Sequence, residues 1–344
     1  MNTVNTINDQ VSETYSLLDR IGKKKLRNIG VLVVILLVLS ILAIAGDGWD
    51  LFIQRVFNGL NNGFIYSAMA LALVLIYKAT GVVNFAQGDM AMFGTFICYV
   101  FAVNVGFPAW LAVLAGMATS AAGAAVIERV LIRPFDPRNH LAITIVTLGL
   151  LLVLNSMAGV IWGYDPRAFP TPFPLRNKSF SFLGAQIQWT SLFTWITIVA
   201  AVLLVSLLLN KTKIGLAFRS VSSNLESSEL VGIHVGRTLQ FGWALAAAMG
   251  TLAGSLIANT TLLDPNFMSR VLIYSFAAAT LGGLDSLGGA VLAGIIIGEV
   301  ETMAGGYIDF IGSTLAPTVA LFVIVVVLLI RPNGLFGSKR VERV

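Results

Sequence analysis

Residues 141–162 read LAITIVTLGLLLVLNSMAGVIW, a run without one charged side chain. About 20 apolar residues in a helix cross the hydrocarbon core of a bilayer, so this stretch alone is long enough to span. Nine more apolar segments lie around it: Ile29 to Ile44, Phe52 to Tyr77, Met90 to Val103, Pro108 to Ile127, Trp189 to Leu209, Leu239 to Ala258, Val271 to Leu281, Leu287 to Ala304 and Thr314 to Ile330. The pattern predicts an all-α, polytopic helical membrane protein with about ten transmembrane or re-entrant helices. The short segments within 271–304 fit either two crossings or a re-entrant hairpin. Composition agrees: of 344 residues, 57% are hydrophobic and only 11% charged, with mean hydropathy +0.86. Soluble domains carry about 25% charged residues, so a soluble enzyme, a disulfide scaffold and a disordered regulator are excluded. The single cysteine, Cys98, has no partner within the chain.

The net charge of +5 reports orientation rather than a nucleic-acid surface. Cytoplasmic loops of membrane proteins carry excess Lys and Arg. Threading ten spans with the N-terminus inside puts 17 of the 22 basic residues on the inner side, and leaves Arg55, Arg167, Arg176, Lys178 and Arg270 outside. Both termini are therefore expected in the cytoplasm. The expected organisation is a cytoplasmic tail over 1–28, a transmembrane domain over 29–337 and a second cytoplasmic tail over 338–344. About 28 polar residues precede Ile29, which favours a retained first helix over a cleaved signal peptide.

Three polar segments interrupt the apolar background. The first, Gly81-Val82-Val83-Asn84-Phe85-Ala86-Gln87-Gly88-Asp89-Met90, sets Asn84, Gln87 and Asp89 at a hydrophobic boundary. Polar groups at membrane depth are tolerated where they are buried in protein or line a cavity. They are candidates for a substrate path, while Asp89 is also suited to meet a helix dipole. The second, Gly282-Gly283-Leu284-Asp285-Ser286-Leu287-Gly288-Gly289, has the glycine density of a hinge or re-entrant tip, and Asp285 or Ser286 is placed to cap the next helix. Gly81 and Gly88 serve the first segment in the same way. The third, the inner loop 210–237, carries Arg219, Glu226, Glu229 and Gly232. Its partial apolar stripe of Ala217, Val221, Leu225, Leu230 and Ile233 predicts a helix along the membrane surface, free to dock a cytoplasmic partner. Glu299, near the end of the ninth segment, is a functional candidate because intramembrane carboxylates are costly. The stretch 163–188, with Pro166, Pro170, Pro172 and Pro174, reads as an irregular cap or short hairpin.

No G-x-x-x-x-G-K-[ST] phosphate loop, H-E-x-x-H, G-x-S-x-G or paired-cysteine pattern is present. His140 and His234 have no neighbouring ligand cluster, so no metal site is expected. Mid-span Asp, Glu or His chains of the kind used in proton coupling are scarce. The energy for transport is expected to come from another subunit.

Four stretches resemble the permease subunits of branched-chain amino-acid ABC importers, of the LivH type. Phe57-Asn58-Gly59-Leu60 with Tyr66, Ala68, Ala70 and Leu71, followed by Gly81 to Asp89, is similar to that family's first core helix and its G-x-[IV]-N-F-A-H-G-[DE] turn. Glu226 to Val235 resembles its cytoplasmic coupling segment. Gly282-Gly283-Leu284 through Gly288, Gly289, Gly294, Gly298 and Glu299 looks like its glycine-rich pattern ending in Glu. Arg331-Pro332-Asn333-Gly334-Leu335-Phe336-Gly337 looks like its closing R-P-x-G-L-F-G. Gln87 departs from the family's His, keeping a hydrogen-bonding group but not a protonatable one, and residues 1–46 lie outside the resemblance. The resemblance implies a second permease chain, two cytoplasmic ATPases, an external substrate-binding protein and a bacterial or archaeal cytoplasmic membrane. It implies no cofactor in this chain, with ATP and Mg on the ATPases. It also leaves urea, short amides and other small organic solutes as alternative substrates.

Overall fold

A computed structural model describes residues 48–135, 139–175, 178–308, 310–312, 314–331 and 334–337. Eleven helices are described: α1 Trp49–Thr80, α2 Gln87–Tyr99, α3 Ala109–Ile127, α4 His140–Trp162, α5 Trp189–Lys211, α6 Lys213–Ser223, α7 Leu225–Leu230, α8 Val235–Ile257, α9 Phe267–Gly282, α10 Leu287–Tyr307 and α11 Ala316–Ile330. π-helical turns continue α2 over Val100–Asn104 and α3 over Glu128–Ile132. Strands β1 Ser179–Phe182 and β2 Ala185–Gln188 form a small sheet, which makes the predicted cap a hairpin. Nine of the ten predicted apolar segments are helices. The other, Ile29 to Ile44, lies outside the described residues, as do the two predicted tails.

Among the described residues, six helical stretches are long and apolar enough to cross a membrane: Trp49–Thr80, Ala109–Ile132, His140–Trp162, Trp189–Lys211, Val235–Ile257 and Leu287–Tyr307. The chain is a multi-pass helical membrane protein. The described residues divide into a small unit, 48–54 with 183–185, and a large unit that holds the rest. In the small unit the Trp49 indole donates to the Leu183 carbonyl at 3.0 Å. All further structure described below belongs to the large unit.

α1 and α8 are buried over 78% and 67% of their most apolar windows, against 22%, 28% and 22% for α3, α4 and α5. The first two are therefore central pillars, and the others turn Leu, Ile and Val outward. Helices in lipid gain nothing from hydrophobic burial against one another, so they associate by close backbone packing at small residues. α1 and α10 do this along a continuous seam. A Cβ added at Gly63 would come 2.7 Å from the Ile295 Cα, and one at Gly298 would strike the Gly63 backbone. One turn further, the Ser67 hydroxyl donates to the Val291 carbonyl of α10 at 2.6 Å. α2 and α8 repeat the device, with Gly94 against Thr251 and Gly254 against Thr95.

The glycine-rich segment 282–289 is a tight turn between α9 and α10. Gly283 caps α9 at φ +101°, a conformation that a side chain would strain. The Ser286 hydroxyl accepts from the Gly289 amide at 3.1 Å, so Ser286 rather than Asp285 caps α10. The closing motif also acts here. The amides of Leu335 and Phe336 donate to the carbonyls of Leu281 and Gly282 at 2.8 and 3.2 Å, and so satisfy acceptors that the end of α9 leaves open.

The α1–α10 seam yields a test. Gly298→Leu forces the two backbones apart, and the variant is expected to lose its folded, monodisperse peak in detergent size-exclusion chromatography. Gly288→Ala, at a position with nothing within 4 Å of the added carbon, is expected to elute as the wild type.

Candidate functional site

Two polar regions stand out. The first is at membrane depth. The loop 81–86 enters the bundle, and α2 starts inside it. Gln87 donates to the Ala246 carbonyl at 3.0 Å, eleven residues into α8, which is about 16 Å along the helix at 1.5 Å per residue. Asn84 supports Gln87: its amide donates to Gln87 Oε1 at 3.3 Å, while its own Oδ1 accepts from the Ala86 amide at 3.0 Å. Both residues are fully buried. Gly250 of α8 lets the Gln87 amide approach, since a Cβ there would meet its Nε2 at 2.8 Å.

Asp89, in the first turn of α2, accepts from Asn155 Nδ2 at 3.2 Å. That amide also lies 2.9 Å from the Pro265 carbonyl and 3.3 Å from Asn266 Oδ1. Asn155 is fifteen residues from the start of α4 and seven from its end, about 22 and 10 Å respectively. The N-termini of α2 and α9 therefore meet inside the bundle, around Asn155. Asn266, which caps α9, and Ser269 and Arg270 in its first turn are exposed. Sequence reading started this helix at Val271. It begins at Phe267, so Arg270 is its fourth residue.

Of the two carboxylates on α10, Glu299 packs over Gly59 of α1. Glu301 accepts from the Tyr66 hydroxyl at 2.6 Å, and Tyr66 stacks on Tyr274 at 4.9 Å between centroids. Sequence reading ranked Glu299 above Glu301; of the two, Glu301 is the one bonded to a buried tyrosine. Residues two apart on a helix face different neighbours, and only the α1 contact shows which has a polar partner.

The second region is a cavity of about 1530 Å³ at the end of the bundle where Lys78, Arg133 and Arg219 gather. Arg133 pairs with Glu128 at 2.7 Å and donates to the Gly236 carbonyl at 2.7 Å, which ties α3 to α8. Lys78 donates to the Asp285 carbonyl at 3.0 Å, which ties α1 to the α9–α10 turn. Arg219, Glu226 and Glu229 all border this cavity. Gly81 stands at its wall beside His140. Gly88 packs on Leu272, whereas Gly282 and Gly289 allow the close crossing of α9 and α10.

The inner loop forms two helices, not one. Thr212 caps α6 by accepting from the Gly215 amide at 3.0 Å, and Asn224 caps α7 by accepting from the Ser227 amide at 2.8 Å. The break at Asn224 interrupts the helical register, so the predicted stripe does not continue. Gly215, Phe218 and Val221 are buried, while Leu230 and Val231 are 89% and 73% exposed. Phe218 is the anchor that sequence reading missed: it packs against Gly242 of α8. Gly232, at φ +82° with open space around it, makes the turn into α8.

Residues 55–331 match the family model described as "Branched-chain amino acid transport system / permease component". The chain belongs to this family. It is 28% identical over 306 residues to the high-affinity branched-chain amino acid transport system permease protein LivH of Salmonella typhimurium, covering 85% of this chain and 98% of the relative. It is equally identical over 306 residues, with the same coverage of both chains, to the permease protein BraD of Pseudomonas aeruginosa. The probable LivH of Methanocaldococcus jannaschii is 29% identical over 301 residues, covering 83% of this chain and 94% of that protein.

The buried Asn84–Gln87 network yields a prediction. Gln87→Leu keeps the volume but leaves the buried Ala246 carbonyl without the Gln87 donor, a loss of about 1–3 kcal/mol. It is expected to lower the melting temperature of the purified protein, and Gln87→His, which restores a donor, is expected to lower it less.

Proposed function

We propose that the chain is the membrane permease subunit of an ABC importer that carries branched-chain or related aliphatic amino acids into the cytoplasm. The observation that carries the reading is the match along nearly the whole length of the LivH and BraD permeases, spanning both polar regions. A second permease chain covers the face that exposes Asn266, Ser269 and Arg270, since polar side chains at membrane depth need protein or water against them rather than lipid. The path for substrate runs between the two chains, where Asp89 and Glu301 supply polar groups in place of water. An external binding protein delivers substrate, and both termini and the basic end face the cytoplasm of a bacterial or archaeal cell.

The energy comes from two ATPase subunits, which hold ATP and Mg. Their docking element here is the α6–α7 pair. Phe218, packed against Gly242, holds it to the bundle, and the Ser220–Ser228 hydroxyl contact at 2.9 Å holds α7 to α6, while the apolar tip Leu230–Val231 is left for a partner, edged by Glu226 and Glu229. Movement of the ATPases is then passed through α6 to α8 and α1, the two central helices.

Reconstitution with the cognate ATPases and binding protein is expected to give saturable, ATP-dependent uptake of labelled leucine. Saturable urea uptake without competition by leucine overturns the substrate reading. Leu230→Asp combined with Val231→Asp removes the apolar tip. The double variant is expected to insert normally but to lose ATPase co-purification and at least about tenfold in uptake, equivalent to about 1.4 kcal/mol. Unchanged uptake refutes the docking assignment.

A further inference from the structure

On the outward side of α5, Ala200, Leu203, Leu204, Leu207, Leu208 and Lys211 border one open groove of about 520 Å³. Steps of three and four residues along a helix return to the same face, so these six form a single stripe, about 16 Å long at 1.5 Å per residue. Leu203, Leu204 and Leu207 are 57%, 61% and 59% exposed. Thr212, the residue that ends α5, borders the groove beside Lys211.

The wall and the mouth of this groove belong to different layers of a membrane. α5 is apolar over its span, so its leucines stand in hydrocarbon, while Lys211 in the last turn carries its charge out to the headgroup level. The mouth is basic. Lys213 follows two residues later and is exposed, and Arg219 Nη1 donates to Asn210 Oδ1 at 3.2 Å, which holds a third cation at the same bend. Among the described residues Lys211 and Lys213 have no ion-pair partner. The bend itself is fixed. The Thr212 hydroxyl donates to the Leu208 carbonyl and accepts from the Gly215 amide, and a Cβ at Gly215 would strike the carbonyls of Leu208 and Leu209.

An apolar stripe in a membrane is covered by another helix or by a lipid chain. Helices in lipid pack through small residues, as Gly63 and Gly298 do here, whereas four of the six positions in this stripe are leucine. A leucine-walled furrow receives a flexible acyl chain, and cations at its cytoplasmic end attract an anionic headgroup. We propose that this groove is a binding site for an anionic phospholipid, with an acyl chain along the leucines from 203 to 208 and the phosphate at Lys211 and Lys213. The N-terminus of α6, capped by Thr212 at the same mouth, adds the positive end of its dipole. The groove shares no lining residue with the larger cavity at the basic end, and the site is independent of what the importer carries. A lipid seated there lies across the bend where α6 leaves α5, and braces it.

The test measures the melting temperature of the purified full-length chain in detergent with added phosphatidylglycerol or zwitterionic phosphatidylcholine, and the lipid retained in native mass spectrometry. A ligand that binds only the folded state raises the melting temperature. Phosphatidylglycerol is expected to raise it and to be retained, and phosphatidylcholine to do neither. Lys211→Gln combined with Lys213→Gln is expected to weaken retention at least about tenfold, the effect of removing two cations from an anionic headgroup. Leu204→Trp fills the furrow with both lysines in place and is expected to lose the response as well. Leu152→Trp, on the 65% exposed face of α4, is expected to keep it. Equal retention of the two lipids by the wild type overturns the proposal, as does a wild-type response in the double-lysine variant or in Leu204→Trp. So does dissociation of an oligomer of the chain by Leu204→Trp, which gives the groove to a neighbouring helix.

Discussion

Inside hydrocarbon there is no water to satisfy a backbone amide or carbonyl, so every helix end at membrane depth must find its partners within protein. Much of this fold is arranged around that constraint. α9 ends on a left-handed glycine, and the open carbonyls of Leu281 and Gly282 are met by amides of Leu335 and Phe336 from the far end of the chain. The start of α2 is supported by Asn84, which turns the loop and orients Gln87 toward α8. The start of α9 is fixed by one amide, Asn155, set between Asp89, Pro265 and Asn266. Polar residues in these loops are first of all structural, and their function is built on that role.

The same constraint separates the inward polar groups from the outward ones. Asn84 and Gln87 are buried and bonded within the chain, so they hold α2 against α8. Asn266, Ser269 and Arg270 are exposed at comparable depth, and lipid is a poor neighbour for them. Such a surface needs protein or water against it. At the basic end, the capped helices α6 and α7 are anchored by Phe218 yet present Leu230 and Val231 outward, which again leaves a face to be completed. Lys78 and Arg133 tie α1, α3, α8 and the α9–α10 turn together around that end, giving a docked partner a mechanical route to the central helices.

Helix packing through small residues makes such a route plausible physically. Gly63 against Ile295, Ser67 against Val291 and Gly94 against Thr251 bring backbones close with little side chain between. Seams of this kind transmit displacement as near-rigid bodies, because there is no flexible layer to absorb it. The exposed Leu and Val of α3, α4 and α5 form the softer, lipid-facing layer around them.

The sequence by itself determined that this is a multi-pass helical membrane protein, where nine of its helices lie and which segments are chemically unusual. Hydrocarbon imposes a length and a polarity on each crossing, and both are local properties of the chain. The motif of residues 331–337 was legible as a pattern, but its purpose as the cap of α9 was not, because the two ends meet only after folding. The same holds for Glu301 against Glu299, for Arg270 as a helix residue and for Phe218 as the anchor of α6. Each depends on which face of a helix meets which neighbour, and in a uniformly apolar chain the alternation of polar and apolar residues that would mark a face is nearly absent. Tertiary packing alone decided those contacts, and through them which polar groups are bonded within the chain and which are left exposed.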